Sequence, residues 1–121
     1  AIVRAYVKTA AFKPLDAPTL DRILLPWTGP EGKPAFYRQI AQADARYTDA
    51  VEPLYATITR PVLILWGGED AWIPVAQGER LQEMISGASL HVIQDAGHLV
   101  IEERPAKLVE RILSFLKESG D

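Results

Sequence analysis

Residues 61–74 read Pro61-Val62-Leu63-Ile64-Leu65-Trp66-Gly67-Gly68-Glu69-Asp70-Ala71-Trp72-Ile73-Pro74. The unbroken apolar run from Val62 to Trp66, closed by two glycines, suits a strand buried on both faces of a parallel sheet. Working outward toward the C-terminus, Pro74 to Ile85 reads as a helix with Pro74 near its first turn and Leu81, Met84 and Ile85 facing inward. Ser89 to Ile93 reads as a second strand. The segment Ala106 to Lys117 is a helix with an inner stripe of Leu108, Val109, Ile112, Leu113 and Leu116, and with Lys107, Glu110, Arg111 and Lys117 outside. Strand, helix, strand, helix is the βαβα unit of a doubly wound α/β fold.

Toward the N-terminus the texture is different. Ile2, Val3, Tyr6, Val7 and Ala10 lie on one face of a first helix, and Leu20, Ile23 and Leu24 mark a second, begun after Asp16 and stopped near Pro26. Thr28-Gly29-Pro30-Glu31-Gly32 reads as a loop by its turn chemistry. Phe36 and Ile40 continue a third helical face. Tyr47, Val51, Leu54, Tyr55 and Ile58 make a fourth, which Pro53 should bend or split. The chain therefore divides at residue 60 into a helical part, 1–60, and an α/β part, 61–121.

Length turns this division into a constraint. A chain of 121 residues that is 48% hydrophobic can build a core and bury roughly two-thirds of its unfolded surface. Two parallel strands with one crossover helix nevertheless leave both edges and much of both faces uncovered, so the sheet calls for further strands. No internal repeat or low-complexity stretch supplies them. Ala1 stands where Met would begin a gene product, and no signal-peptide pattern is present, which leads us to expect an interior or processed start.

Composition excludes several classes of function. Lys and Arg number 13 against 16 Asp and Glu, with no basic run, which argues against a nucleic-acid partner or a polybasic membrane anchor. No apolar run approaches the ~20 residues of a membrane helix. The absence of cysteine rules out disulfides and thiolate metal sites and suits a reducing, cytoplasmic setting. Two histidines, His91 and His98, are too few for a multi-histidine metal centre. Gly67-Gly68 opens no dinucleotide-binding fingerprint.

In open α/β sheets ligands and catalytic groups lie just beyond the carboxyl ends of the strands. Two loops qualify: Trp66 to Pro74 after the first strand, and Asp95-Ala96-Gly97-His98 after the second. One carries carboxylates and the other a histidine, on strands that a right-handed crossover makes neighbours. A carboxylate placed against the imidazole would fix its tautomer and stabilise its protonated form. Imidazole suits proton transfer because its pKa lies near working pH. Glu69 and Asp95 compete with Asp70 for the acid's role, and His91 falls inside the second strand, where a packing role fits it.

From Pro61 onward the chain resembles the last third of an α/β-hydrolase. The resemblance rests on the strand-W-G-x-x-D-x-x-x-P segment from Trp66 to Pro74 and the G-H-x-x-x-x-E-x-P segment from Gly97 to Pro105. It implies the C-terminal βαβα part of an α/β-hydrolase sheet preceded by a helical cap over residues 1–60, with Asp70 as the acid and His98 as the base of a catalytic triad. It also implies ester or acyl hydrolysis without a cofactor or metal, on a small apolar ester-like substrate. Trp72, Trp27 and Tyr37, with Phe36, Tyr47 and Tyr55, are candidates for an apolar pocket beneath the cap, although aromatics at such spacing also serve plain packing. Glu103 is expected to support the loop or the start of the last helix, with Pro105 in its first turn.

One part of the family's pattern is missing. The nucleophile should precede the acid on a G-x-S-x-G turn. All four serines, Ser86, Ser89, Ser114 and Ser119, follow Asp70, and Asp16, Asp21, Asp44 and Asp49 sit in helical contexts unsuited to an aspartate nucleophile. The expectation is that the nucleophile comes from an N-terminal part of the same hydrolase or from a complementary chain, and that this chain alone turns over no substrate. The alternatives are a dehalogenase, an epoxide hydrolase or a C–C bond hydrolase of the same fold, a non-catalytic hydrolase-fold receptor, and a fragment.

Overall fold

A computed structural model describes residues 2–120. The order is α1 (Ile2–Lys8), α2 (Ala17–Leu24), a 3₁₀ turn (Leu25–Trp27), α3 (Gly29–Ala41), α4 (Arg46–Asp49), a second 3₁₀ segment (Glu52–Thr57), β1 (Val62–Gly67), α5 (Val75–Met84), β2 (Ala88–Ile93), α6 (Val100–Glu103) and α7 (Pro105–Glu118).

The strands pair in parallel, in a register that runs from Val62 opposite Ala88 to Gly67 opposite Ile93. The crossover helix α5 packs on both strands, and α7 packs on β1. Pairing continues past the ladder, where the Gly68 amide donates to the Ile93 carbonyl at 2.8 Å and the Glu69 amide to the Ala96 carbonyl at 2.9 Å. This close approach depends on Gly67. A Cβ there would stand 2.1 Å from the Gly97 carbonyl oxygen and 2.6 Å from that of Ala96.

The buried residues form two apolar clusters. Val3, Val7, Leu20 and Leu24 form one within the helical part, joined by Trp27, Phe36 and Leu99. Ile93, Ala96 and Leu108 form the other beneath the sheet, joined by Leu65 and Val100. Helix α2 starts as its sequence predicts: the Asp16 carboxylate accepts the Thr19 amide at 2.8 Å, and a proline stands in the first turn. Pro53 splits the fourth helical face into α4 and the 3₁₀ segment, because it heads a turn and cannot continue a ladder.

Two expectations are corrected. Residues 28–32 are not a loop, because α3 begins at Gly29, and Pro30 stands in its first turn, where its missing N–H would have had no partner in any case. Pro34 lies inside that helix. The stripe on the last helix is present but mostly uncovered: Leu108 is buried, whereas Val109, Ile112, Leu113 and Leu116 are exposed. The described residues form a sheet of only two strands, and α7 packs on β1, so most of the stripe has no further strand to cover.

Replacing Gly67 with Ala should cost about 3 kcal/mol, since the added methyl meets backbone on two residues and backbone cannot rotate away. Urea unfolding measures this, and an unchanged midpoint would contradict the close approach.

Candidate active site

The end of β1 delivers Asp70 and the end of β2 delivers His98. Asp70 Oδ1 accepts the amides of Trp72 and Ile73, each at 2.9 Å. Its Oδ2 stands 2.9 Å from His98 Nδ1. The two oxygens therefore have separate partners: one secures the carboxylate to its own loop, and the other faces the ring. The Asp70 side chain is 5% exposed and that of His98 32%. An ionised carboxylate only accepts, so Nδ1 carries the shared proton.

Burial acts most strongly on the Asp70 carboxyl and favours its neutral form. The Ile73 amide, the His98 ring, the Trp72 amide and the attraction of His98 together outweigh it, holding the group below its ordinary 3.8.

His98 is held from its backbone. Its amide donates to the Ala10 carbonyl at 2.8 Å, as the Leu99 amide does at 3.3 Å. The preceding Gly97 amide donates to Glu103 Oε2 at 2.8 Å. Glu103 Oε1 accepts the amides of Phe12 at 2.8 Å and Lys13 at 3.1 Å. Gly97 permits the contact, since a Cβ would fall 2.7 Å from the Phe12 nitrogen and 2.8 Å from the Ala10 oxygen. Just before it, Asp95 adopts φ 57°, a left-handed conformation that Asp tolerates better than most residues, and pairs with Lys13 at 3.1 Å.

Of the aromatic candidates, Trp72 lies against His98, with ring centroids 4.9 Å apart at a 37° tilt. Its indole N–H donates to Thr9 Oγ1 at 3.0 Å. Tyr6 lies on Trp72 with centroids 4.5 Å apart, and Phe36 meets Tyr6 edge-on at 5.6 Å. Trp27 and Tyr37 join this row only at its far end, through Phe36. Trp27 belongs to the helical core, and Tyr37 is about half exposed. The structure thus brings Asp70, His98 and Trp72 together and leaves Trp27 and Tyr37 away from His98. Tyr6, Thr9 and the Ala10 carbonyl were not foreseen. Tyr6 had shown only as part of a helix face, and nothing local marks a carbonyl that receives bonds from residues so far along the chain.

Glu69 is exposed, and its amide serves the Ala96 carbonyl. His91 lies in β2 opposite Leu65. A cleft of about 410 Å³ runs along α1 and α2, but its walls, which include Arg4, Lys8, Phe12 and Leu15, contain none of the three clustered residues. Among the described residues, no group of three or more His, Asp or Glu side chains is placed to hold a metal ion. No helix among them is long and apolar enough to cross a membrane.

A mixed fold with a parallel sheet, and an aspartate and histidine paired beyond its two strands, belongs with the hydrolases of the α/β class. The chain is a member of the alpha/beta hydrolase family, which matches residues 2–111. It is similar to the uncharacterized hydrolase YugF of Bacillus subtilis, 33% identical over 71% of this chain and 33% of that protein. It is also similar to a 2-hydroxy-6-oxononadienedioate/2-hydroxy-6-oxononatrienedioate hydrolase of Klebsiella pneumoniae, 36% identical over 53% of this chain and 22% of that protein. Among solved structures, an alpha/beta hydrolase fold protein from Burkholderia ambifaria superposes with a TM-score of 0.88 at 42% identity, covering 93% of this chain and 42% of that one. The chain spans a third or less of the length of these curated relatives.

The depressed Asp70 value has a consequence for acid stability. A carboxyl whose folded pKa lies below its unfolded one stabilises the fold above the unfolded value, 3.8, and that contribution fades as pH falls through the folded value. Asp70→Asn should therefore lie below the wild type in stability at neutral pH and converge toward it in acid. Asp16, Asp95 and Glu110, also held low, remain in both proteins and contribute equally. Urea midpoints across and below that pH check this; a constant gap between the two proteins would contradict it.

Proposed function

We propose that the protein hydrolyses a carboxylic ester or related acyl bond, with His98 carrying the proton, Asp70 orienting His98, and a nucleophile supplied from outside this chain. The observation that carries this reading is the 2.9 Å contact between Asp70 Oδ2 and His98 Nδ1, with Oδ1 already engaged by two amides. That arrangement leaves Nε2 as the free basic atom.

In the proposed cycle, the nucleophile's O–H gives its proton to Nε2 as its oxygen attacks the substrate carbonyl, and Asp70 balances the imidazolium charge. Nε2 then returns the proton to the departing alkoxide, which leaves as the alcohol, and the acyl group stays on the nucleophile. A water molecule repeats the sequence, giving up one proton to Nε2 and adding its oxygen to the acyl carbon; the acid departs and the nucleophile regains its proton. No step calls for a cofactor. Residues 1–60 serve in this reading as the cap, and Trp72 and Tyr6 as an apolar wall beside the base.

A second reading is supported by the likeness to the Klebsiella pneumoniae enzyme. There the same base would serve cleavage of a C–C bond next to a carbonyl, with a carbon leaving group in place of an alkoxide.

Assays on the complete protein distinguish the two. Short p-nitrophenyl esters should be turned over, and His98→Ala should lower kcat/KM by about 10²–10⁴-fold. Equal rates in the two proteins would remove His98 from the mechanism. Bleaching of a 2-hydroxy-6-oxo-dienoate, with no ester turnover, would move the assignment to the second reading.

A further inference from the structure

We infer that Glu103 is the positioning residue for His98, tying the loop that bears the base to the chain segment that follows α1. The inference rests on the assignment of His98 as the base, but its geometry stands independently of any turnover. Three consecutive amides, those of Gly97, His98 and Leu99, have their acceptors outside the sheet: Glu103 Oε2 for the first and the Ala10 carbonyl for the other two. Glu103 Oε1 in turn takes the amides of Phe12 and Lys13. Leu99 packs its side chain against the helical cluster of Val3, Val7, Leu20 and Leu24.

The base loop is thus fastened chiefly to residues 10–13, with the Ala96 carbonyl giving its tie to the sheet through Glu69. A carboxylate is the one side chain that offers two acceptor oxygens with no donor, which three converging N–H groups require. Removing it leaves Gly97 free to turn. The ring of His98, one residue on, then loses its fixed distance from Asp70. The exposed pair between the same segments, Lys13 with Asp95, is too hydrated to replace it.

The test reads the proton shared between His98 Nδ1 and Asp70 as a low-field signal in NMR spectra of ¹⁵N-histidine-labelled protein, assigned by its disappearance in His98→Ala. Glu103→Ala should lose this signal through solvent exchange while keeping dispersed amide resonances. Leu108→Ala, which empties part of the cluster under the sheet, should lose stability and retain the signal. That comparison separates positioning from general weakening. If Glu103→Ala does not hold its fold, Glu103→Gln decides. With one acceptor oxygen for three amides, its shared proton should exchange faster than in the unaltered protein. An unchanged signal in Glu103→Ala, or unchanged exchange in Glu103→Gln, overturns the inference. Ester turnover that survives His98→Ala would overturn the proposed function alone and leave this result standing.

Discussion

Everything at the carboxyl end of the sheet depends on how closely two backbones approach at Gly67. The carbonyls of Ala96 and Gly97 occupy the space a side chain there would fill. Because they do, the Glu69 amide reaches the Ala96 carbonyl, and two loops on separate strands become one hydrogen-bonded unit. Asp70 and His98 are carried on opposite sides of that seam. A side chain at residue 67 would part the seam and lengthen the Asp70–His98 contact without touching either residue.

Strand pairing alone brings the loops together but does not orient a ring. The further ties come from the helical part of the chain, and their strengths differ. The ion pair Lys13–Asp95 is largely in solvent and contributes about 0–1 kcal/mol. Hydrogen bonds to a charged acceptor are worth more, about 1.5–3 kcal/mol each, and Glu103 accepts three. The ordering of the site therefore follows Glu103 and the Ala10 carbonyl more than the visible surface charges. Trp72 extends this coupling, since its indole N–H ends on Thr9 and its ring lies between Tyr6 and His98.

Much of this was legible in the sequence where the signal is local. The apolar run closed by Gly67-Gly68, the two motifs and the alternation of strand and helix placed β1, α5, β2 and α7 to within a residue or two. They also placed Asp70 and His98 at the strand exits. The signal failed where one residue type serves two geometries. Gly29-Pro30 reads as a turn, yet proline suits the first turn of a helix equally well, and the structure takes the second option. A short helix, α6, went unread because Pro105 disfavours helical geometry at Arg104, which adopts φ −138° and cuts α6 away from α7. The Phe12 and Lys13 amides on Glu103 and the Thr9 hydroxyl under the Trp72 indole lie some 60 to 90 residues away in the chain, beyond any spacing rule. The amphipathic stripe of α7 was read correctly as a pattern and wrongly as a buried surface, because a pattern records what a helix is suited to cover and not how wide a sheet it meets.

The acid and the base are secured by different means, and this bears on how the pair behaves. Asp70 is anchored within its own loop, through the amides of Trp72 and Ile73, and meets the helical part only indirectly, through the Trp72 indole on Thr9. His98 is anchored across the chain, to residues that belong with α1. The 2.9 Å bond between them joins two separately held groups instead of holding either in place. Each anchor fixes one partner in advance, so the contact between them costs little further conformational freedom. The corollary is graded: displacement of the helical segment acts on His98 directly, through its amide on the Ala10 carbonyl, and on Asp70 only by way of Trp72 and its indole N–H on Thr9. The placement of the His98 ring is thereby coupled to the position of residues 10–13, through backbone amides and one carboxylate.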